Sequence, residues 1–205
     1  LLVLADGKRG DVSVTSAAYA QALVGSTHTP FGEVAGLRAD AFTANPLLGI
    51  DALEPLVAGA RAAQAGMFVL VRTSNPGAAD VEDLALAQGG TLWERLALIV
   101  ADLGDAGPAS ATGLADVGAV VGATAPEHVA RMRELMPRAV FLLPGVGAQG
   151  GQIEGLASAF APNRGAGLVS ASRSIASAHE AGSGSPAAAA RAASERLREA
   201  AWALS

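Results

Sequence analysis

The sequence predicts an α/β fold built on a parallel sheet. Three observations point there: short apolar runs recur along the chain, stretches with helical spacing separate them, and the two kinds alternate throughout. The apolar runs at 1–5, 39–44, 67–72, 117–123, 139–143 and 167–171 are rich in Val, Leu, Ile and Phe, as expected of strands buried on both faces. The intervening helices fall at 13–24, 52–64, 91–103, 127–136 and 153–160. Right-handed, helix-length crossovers leave an open doubly wound sheet or a closed barrel. Six strands are predicted, whereas a (β/α)8 barrel has eight, so closure would require two βα units before Leu1.

Helix-start chemistry sets the phase. Asp51 is placed to cap the turn that follows, with Glu54 three residues on completing a capping box. Pro126 and Pro186 suit first helical turns, where a missing N–H costs little. Gly182 and Gly184, with their serines, form a flexible linker into a final Ala-rich helix over 186–203 that packs on the outside.

The 205 residues suffice for one domain, 1–205, and a composition 51% hydrophobic and 16% charged belongs to a chain that buries a core. A net charge of −5 offers no positive field for a nucleic-acid backbone, although backbone amides and one or two cations can still hold the phosphate of a small molecule. Cysteine is absent, which excludes disulfides and thiolate metal sites. No apolar run reaches the ~18 residues of a membrane span, and no basic-then-apolar leader precedes the first strand, so a cytoplasmic enzyme is expected. His28, His128 and His179 lack metal-ligand spacing and are read as surface residues.

Three segments at predicted strand ends carry chemistry. In Asp6-Gly7-Lys8-Arg9-Gly10-Asp11, residues two apart share a strand face, so Asp6 and Lys8 project together with Asp11 a little beyond. Two carboxylates would flank one ammonium, destabilising a further anion placed there while Lys8 delivers a proton. The loop Pro144-Gly145-Val146-Gly147-Ala148-Gln149-Gly150-Gly151 has four glycines in seven positions, which lets backbone N–H groups approach an anion. Arg173, after the last strand, can grip phosphate with paired donors, and the loops after the last two strands of a (β/α)8 barrel commonly build the phosphate site. Each segment alone has an ordinary structural reading, as solvated charges, a turn or a surface arginine.

Together with Asn45-Pro46-Leu47-Leu48-Gly49 and Thr73-Ser74-Asn75-Pro76-Gly77, the first two of these segments resemble the orotidine 5′-monophosphate decarboxylase family, particularly its bacterial branch, in order and spacing over residues 1–177. The resemblance implies a (β/α)8 TIM barrel and decarboxylation of orotidine 5′-monophosphate to uridine 5′-monophosphate, the last step of pyrimidine nucleotide synthesis, without metal or organic cofactor. It implies that Lys8 protonates the ring carbon, that Asp6 sits against the departing carboxylate, and that Asp11 and Thr15 reach the partner's active site across a homodimer interface. By the same resemblance Ser74 contacts the pyrimidine, Pro144 lines the pocket, and Gln149 and Arg173 bind phosphate.

The family's first catalytic lysine and a ribose-binding aspartate lie upstream of these motifs, so the resemblance also implies an N-terminally incomplete barrel, inactive alone. Ser172 stands where glycine often precedes the phosphate-binding arginine. Two alternatives stay open: a magnesium-dependent sugar-phosphate lyase on the same barrel, and a non-catalytic nucleotide-phosphate binder.

Overall fold

The computed structural model describes residues 1–108, 110–147, 149–181 and 185–204, so the expected linker glycines Gly182 and Gly184 lie outside the described residues. In chain order the elements are β1 (Leu4–Arg9), α1 (Ser13–Leu23), β2 (Ser26–Thr29), β3 (Gly32–Ala35), β4 (Ala41–Ala44), α2 (Ile50–Ala62), β5 (Gly66–Arg72), α3 (Ala78–Val81), α4 (Leu92–Asp105), β6 (Val117–Val121), α5 (Pro126–Leu135), β7 (Phe141–Pro144), β8 (Gly167–Ser170), α6 (Arg173–Ala176) and α7 (Pro186–Leu204). Short 3₁₀ segments occupy Ile153–Phe160, Arg164–Ala166 and Ala178–Ala181.

Six strands form one sheet in the order β1-β4-β5-β6-β7-β8, every pair parallel. The central strands are covered on both faces, which is why they read as unbroken apolar runs: all five residues of β6 are buried. Helix α2 buries Leu53, Leu56, Val57 and Ala60, and α4 buries Trp93, Ala97 and Val100, both at helical spacing. Phe42, Phe141, Leu53, Leu56 and Met67 are fully enclosed, each contributing about 1.5–3 kcal/mol. Because the strands are parallel, the loops after β1, β5, β7 and β8 emerge on one rim.

Four expectations are corrected. Within this chain the run at 1–5 is not buried: Leu1, Leu2 and Val3 are exposed, the strand is Leu4–Arg9, and β4 is its one neighbour. β8 likewise has β7 as its one neighbour, and its Leu168 is exposed. Asp51 does not cap α2. The helix starts at Ile50 with Gly49 before it, so Asp51 already lies in the first turn; the capping box belongs to Thr91 and Glu94 at α4. The segment 153–160 is 3₁₀ rather than α-helical, and its buried Ile153, Leu156 and Ala159 recur every three residues, the spacing that eclipses in a 3₁₀ turn. The β2–β3 hairpin was not anticipated. Its strands have four residues each and little buried apolar surface, and the available signal was Pro30 with Gly32, whose φ is +112°.

Candidate active site

The site begins with an irregularity in β1. Ala5 pairs with Phe42 and Arg9 with Ala44, so Asp6, Gly7 and Lys8 together face the single residue Thr43. This is a bulge, which turns the strand and re-aims its side chains. The expectation that Asp6 and Lys8 meet is borne out, but through the bulge rather than by regular strand alternation: Lys8 has φ +47°, in the left-handed region that non-glycine residues seldom occupy. Lys8 Nζ donates to Asp6 Oδ1 at 2.6 Å. The Thr43 hydroxyl donates to the same oxygen at 2.9 Å and accepts from the Lys8 N–H at 2.8 Å. Desolvation is the largest single influence on Asp6 and pushes it up, but the hydrogen bonds from Lys8 and Thr43, with the Lys8 charge, outweigh it and hold the carboxyl below the usual value. Gly10 closes the turn because a Cβ there would strike the Asn45 carbonyl oxygen.

Asp6 and Lys8 open onto a cavity of about 650 Å³ at the rim, of a size that suits a small organic ligand. Ser74 enters it from the loop after β5, Pro144 from the end of β7, Gly145 and Gln149 from the loop after β7, and Arg173 from the start of α6. Leu70, Val120 and Leu142 supply an apolar floor. The site therefore joins a cation–carboxylate couple to an amide and a guanidinium across an apolar surface.

The Ser74 loop is held from below. Arg72 pairs with Asp83 through two bonds of 2.9 Å each and donates to the Thr73 carbonyl at 2.7 Å. Glu82 accepts from the Thr73 N–H at 2.8 Å and from its hydroxyl at 3.0 Å. The hydrogen bond to Arg72 is the main influence on Asp83 and holds its carboxyl below the usual range. Replacing Arg72 by methionine is expected to cost about 1.5–3 kcal/mol, the range for hydrogen bonds to charged groups, and to speed hydrogen exchange at the Thr73 amide. Unchanged urea midpoint and exchange would show the clamp to be dispensable.

The glycine-rich loop differs from expectation in detail. The N–H groups of Gly147, Gly150 and Gly151 bond within the loop, to Gly151, Gly147 and Gly145 carbonyls, so they shape it rather than face an anion. Gly145, at φ +100°, lies against the Ser74 and Gln149 side chains where a Cβ would collide, and this close approach brings the two loops together. Ala148 is outside the described residues. The Arg173 guanidinium is exposed, and among the described residues no hydrogen-bond or ion-pair partner holds it.

Asp11 and Thr15 do not line this cavity. Asp11 Oδ1 accepts from the Val12 N–H, and its backbone is held by buried Ser16, so within one chain it does not flank the Lys8 ammonium. His128 is half-buried with its ring 5.2 Å from that of Trp93, not a free surface residue as expected. Among the described residues no group of three or more His, Cys, Asp or Glu side chains is placed to hold a metal, and no helix is long and apolar enough to cross a membrane. Sequence reading missed Thr43 and Glu82. The signal for Thr43 was a lone hydroxyl residue inside an apolar run.

The family model described as Orotidine 5'-phosphate decarboxylase / HUMPS family matches residues 1–193. Among curated proteins, an orotidine 5'-phosphate decarboxylase from Deinococcus radiodurans is 48% identical over 175 residues, covering 85% of this chain and 59% of the relative. One from Rhodopirellula baltica is 42% identical over 183 residues, covering 88% and 58%. The chain thus spans about three-fifths of the length of these relatives. The solved structure of Leishmania donovani OMP decarboxylase superposes with a TM-score of 0.71 at 32% identity, covering 98% of this chain and 69% of that one. The fold is accordingly of the (β/α)8-barrel type, and among the described residues the sheet has six parallel strands.

Proposed function

Because the chain belongs to the orotidine 5′-phosphate decarboxylase / HUMPS family, we propose that the protein decarboxylates orotidine 5′-monophosphate to uridine 5′-monophosphate in pyrimidine biosynthesis, as a cytoplasmic homodimer without metal or organic cofactor. The observation that carries this reading is the Lys8–Asp6 couple, 2.6 Å apart, sharing one cavity with Ser74, Gln149 and Arg173.

The substrate carboxylate lies against Asp6, where like charge raises the ground-state energy, and the ring's C6–carboxylate bond breaks with its electron pair left on carbon. Carbon dioxide departs. The Lys8 ammonium stabilises the developing carbanion and gives it a proton, and solvent reprotonates the amine. Ser74 reads the pyrimidine, Pro144 packs on it, and Gln149 and Arg173 hold the phosphate, whose remote binding energy offsets the carboxylate's unfavourable placement.

Asp11 and Thr15 serve the partner subunit's site. Their absence from their own cavity supports this, as do exposed Val12, Val14, Leu47, Leu48 and Ile50 around the N-terminal ends of α1 and α2, which Ser13 ties together by donating to the Asp51 carbonyl. The six-strand count and the length of the relatives support two further βα units upstream of Leu1, within one barrel domain.

The test is loss of orotidine 5′-monophosphate absorbance with the full-length protein in excess chelator. Turnover is expected to persist. Turnover that chelator abolishes and magnesium restores would overturn the metal-free reading, and a folded protein with no turnover would sink decarboxylation and leave a sugar-phosphate lyase or a nucleotide-phosphate binder.

A further inference from the structure

Thr43 is the one polar side chain of β4, fully buried, and it does not line the cavity. It nevertheless makes the two contacts that define the bulge: its hydroxyl donates to Asp6 Oδ1 and accepts from the Lys8 N–H. A hydroxyl has one proton to give and lone pairs to receive, so the direction of each bond is set by chemistry: the Lys8 N–H can only donate and the ionised Asp6 carboxylate can only accept. Valine, of nearly the same shape, could do neither. Lys8 meanwhile keeps a left-handed backbone, a conformation that persists where its surroundings enforce it.

We propose that Thr43 is a positioning residue, which aims the Asp6 carboxylate and the Lys8 backbone from the neighbouring strand and so sets the geometry of the couple without touching substrate. The inference rests on the decarboxylase reading for its effect on rate, but not for its effect on Asp6. The charged groups sharing the cavity with Asp6 are Lys8 on its own strand, Glu82 after β5 and Arg173 on α6. Of these Lys8 is the one that acts on its titration, alongside the Thr43 bond, which favours the carboxylate. Losing that bond therefore raises the Asp6 midpoint.

The experiment compares Thr43→Val and Thr43→Ser in the full-length protein, with orotidine 5′-monophosphate turnover across pH and ¹³C titration of the Asp6 carboxyl, assigned with Asp6→Asn. Thr43→Val is expected to lower kcat roughly 10- to 100-fold, the scale of a hydrogen bond to a charged group. KM should change little, and both the acid limb of the rate profile and the Asp6 midpoint should move to higher pH. Thr43→Ser should restore all of these. An unmoved Asp6 midpoint in folded Thr43→Val, or a serine variant behaving like valine, overturns the proposal. A shifted midpoint in a protein without decarboxylase turnover leaves the positioning role standing and removes the proposed activity. If Thr43→Val does not fold, Thr43→Ala with the same titration decides.

Discussion

Replacing Lys8 by alanine in the full-length protein is expected to lower kcat for orotidine 5′-monophosphate by about 10²–10⁴-fold, the usual contribution of a positioned proton donor, with a small change in stability. The two effects separate because of where Lys8 sits. Its side chain is 48% exposed and that of Asp6 56%, so their ion pair holds the fold by about 0–1 kcal/mol. Alanine inherits the same left-handed backbone, so no strain is relieved. Arginine should not rescue the rate, since its guanidinium keeps its protons and needs more room than an ammonium. Stopped-flow absorbance for kcat and urea unfolding for stability, on the same preparations, measure both. A Lys8→Ala protein that keeps its kcat would remove Lys8 from the chemistry; one that unfolds would make it structural.

The largest expected stability change lies far from the cavity. Arg133 on α5 is buried and donates to four backbone carbonyls at 2.7–3.2 Å, those of Met136, Ala139, Ala159 and Ala166, with a longer bond to Ser158, and its guanidinium lies 3.7 Å over the Phe141 ring. Burial pushes it down to about 10, so it stays charged at neutral pH, and the carbonyls solvate it in place of a carboxylate. Arg133→Met fills similar space but leaves buried acceptors without donors. At about 1–3 kcal/mol for each group stranded, a loss of roughly 3 kcal/mol is expected. For a chain of this size that lowers Tm by about 6–12 °C. Arg133→Lys should recover only part, because one ammonium cannot fork to carbonyls on both sides of the ring. Calorimetry and urea midpoints decide, and a methionine variant as stable as the parent would show that the carbonyls find other partners.

The difference between these two arginine- and lysine-centred sites bears on what sequence reading could reach. Lys8 stood out because Asp6, Lys8 and Asp11 follow an apolar run within six residues, and a parallel sheet brings such strand ends to one rim. Arg173 and the glycine-rich loop stood out by the same strand-end placement, whereas Ser74, Pro144 and Gln149 were singled out by the family resemblance, and the cavity gathers all four. Arg133 gave no signal. Its partners are carbonyls, which every residue carries, contributed from 3 to 33 positions away.

The six strands of the parallel sheet, the helices that alternate with most of them and the rim position of the chemistry follow from the sequence itself, because apolar periodicity and charge at strand ends are local properties. Tertiary structure alone decided the rest. The β1 bulge exists because Thr43 on the neighbouring strand offers a hydroxyl to two groups at once, and no pattern within residues 1–11 encodes that partner. The glycine amides of the loop after β7 turn inward because they find carbonyls of their own loop. Asp11 falls outside the cavity that holds Asp6 and Lys8 because its loop is tied to Ser16 and its carboxylate to the Val12 amide. In each case the deciding energy is a hydrogen bond whose partner is chosen by the folded geometry, which periodicity does not specify.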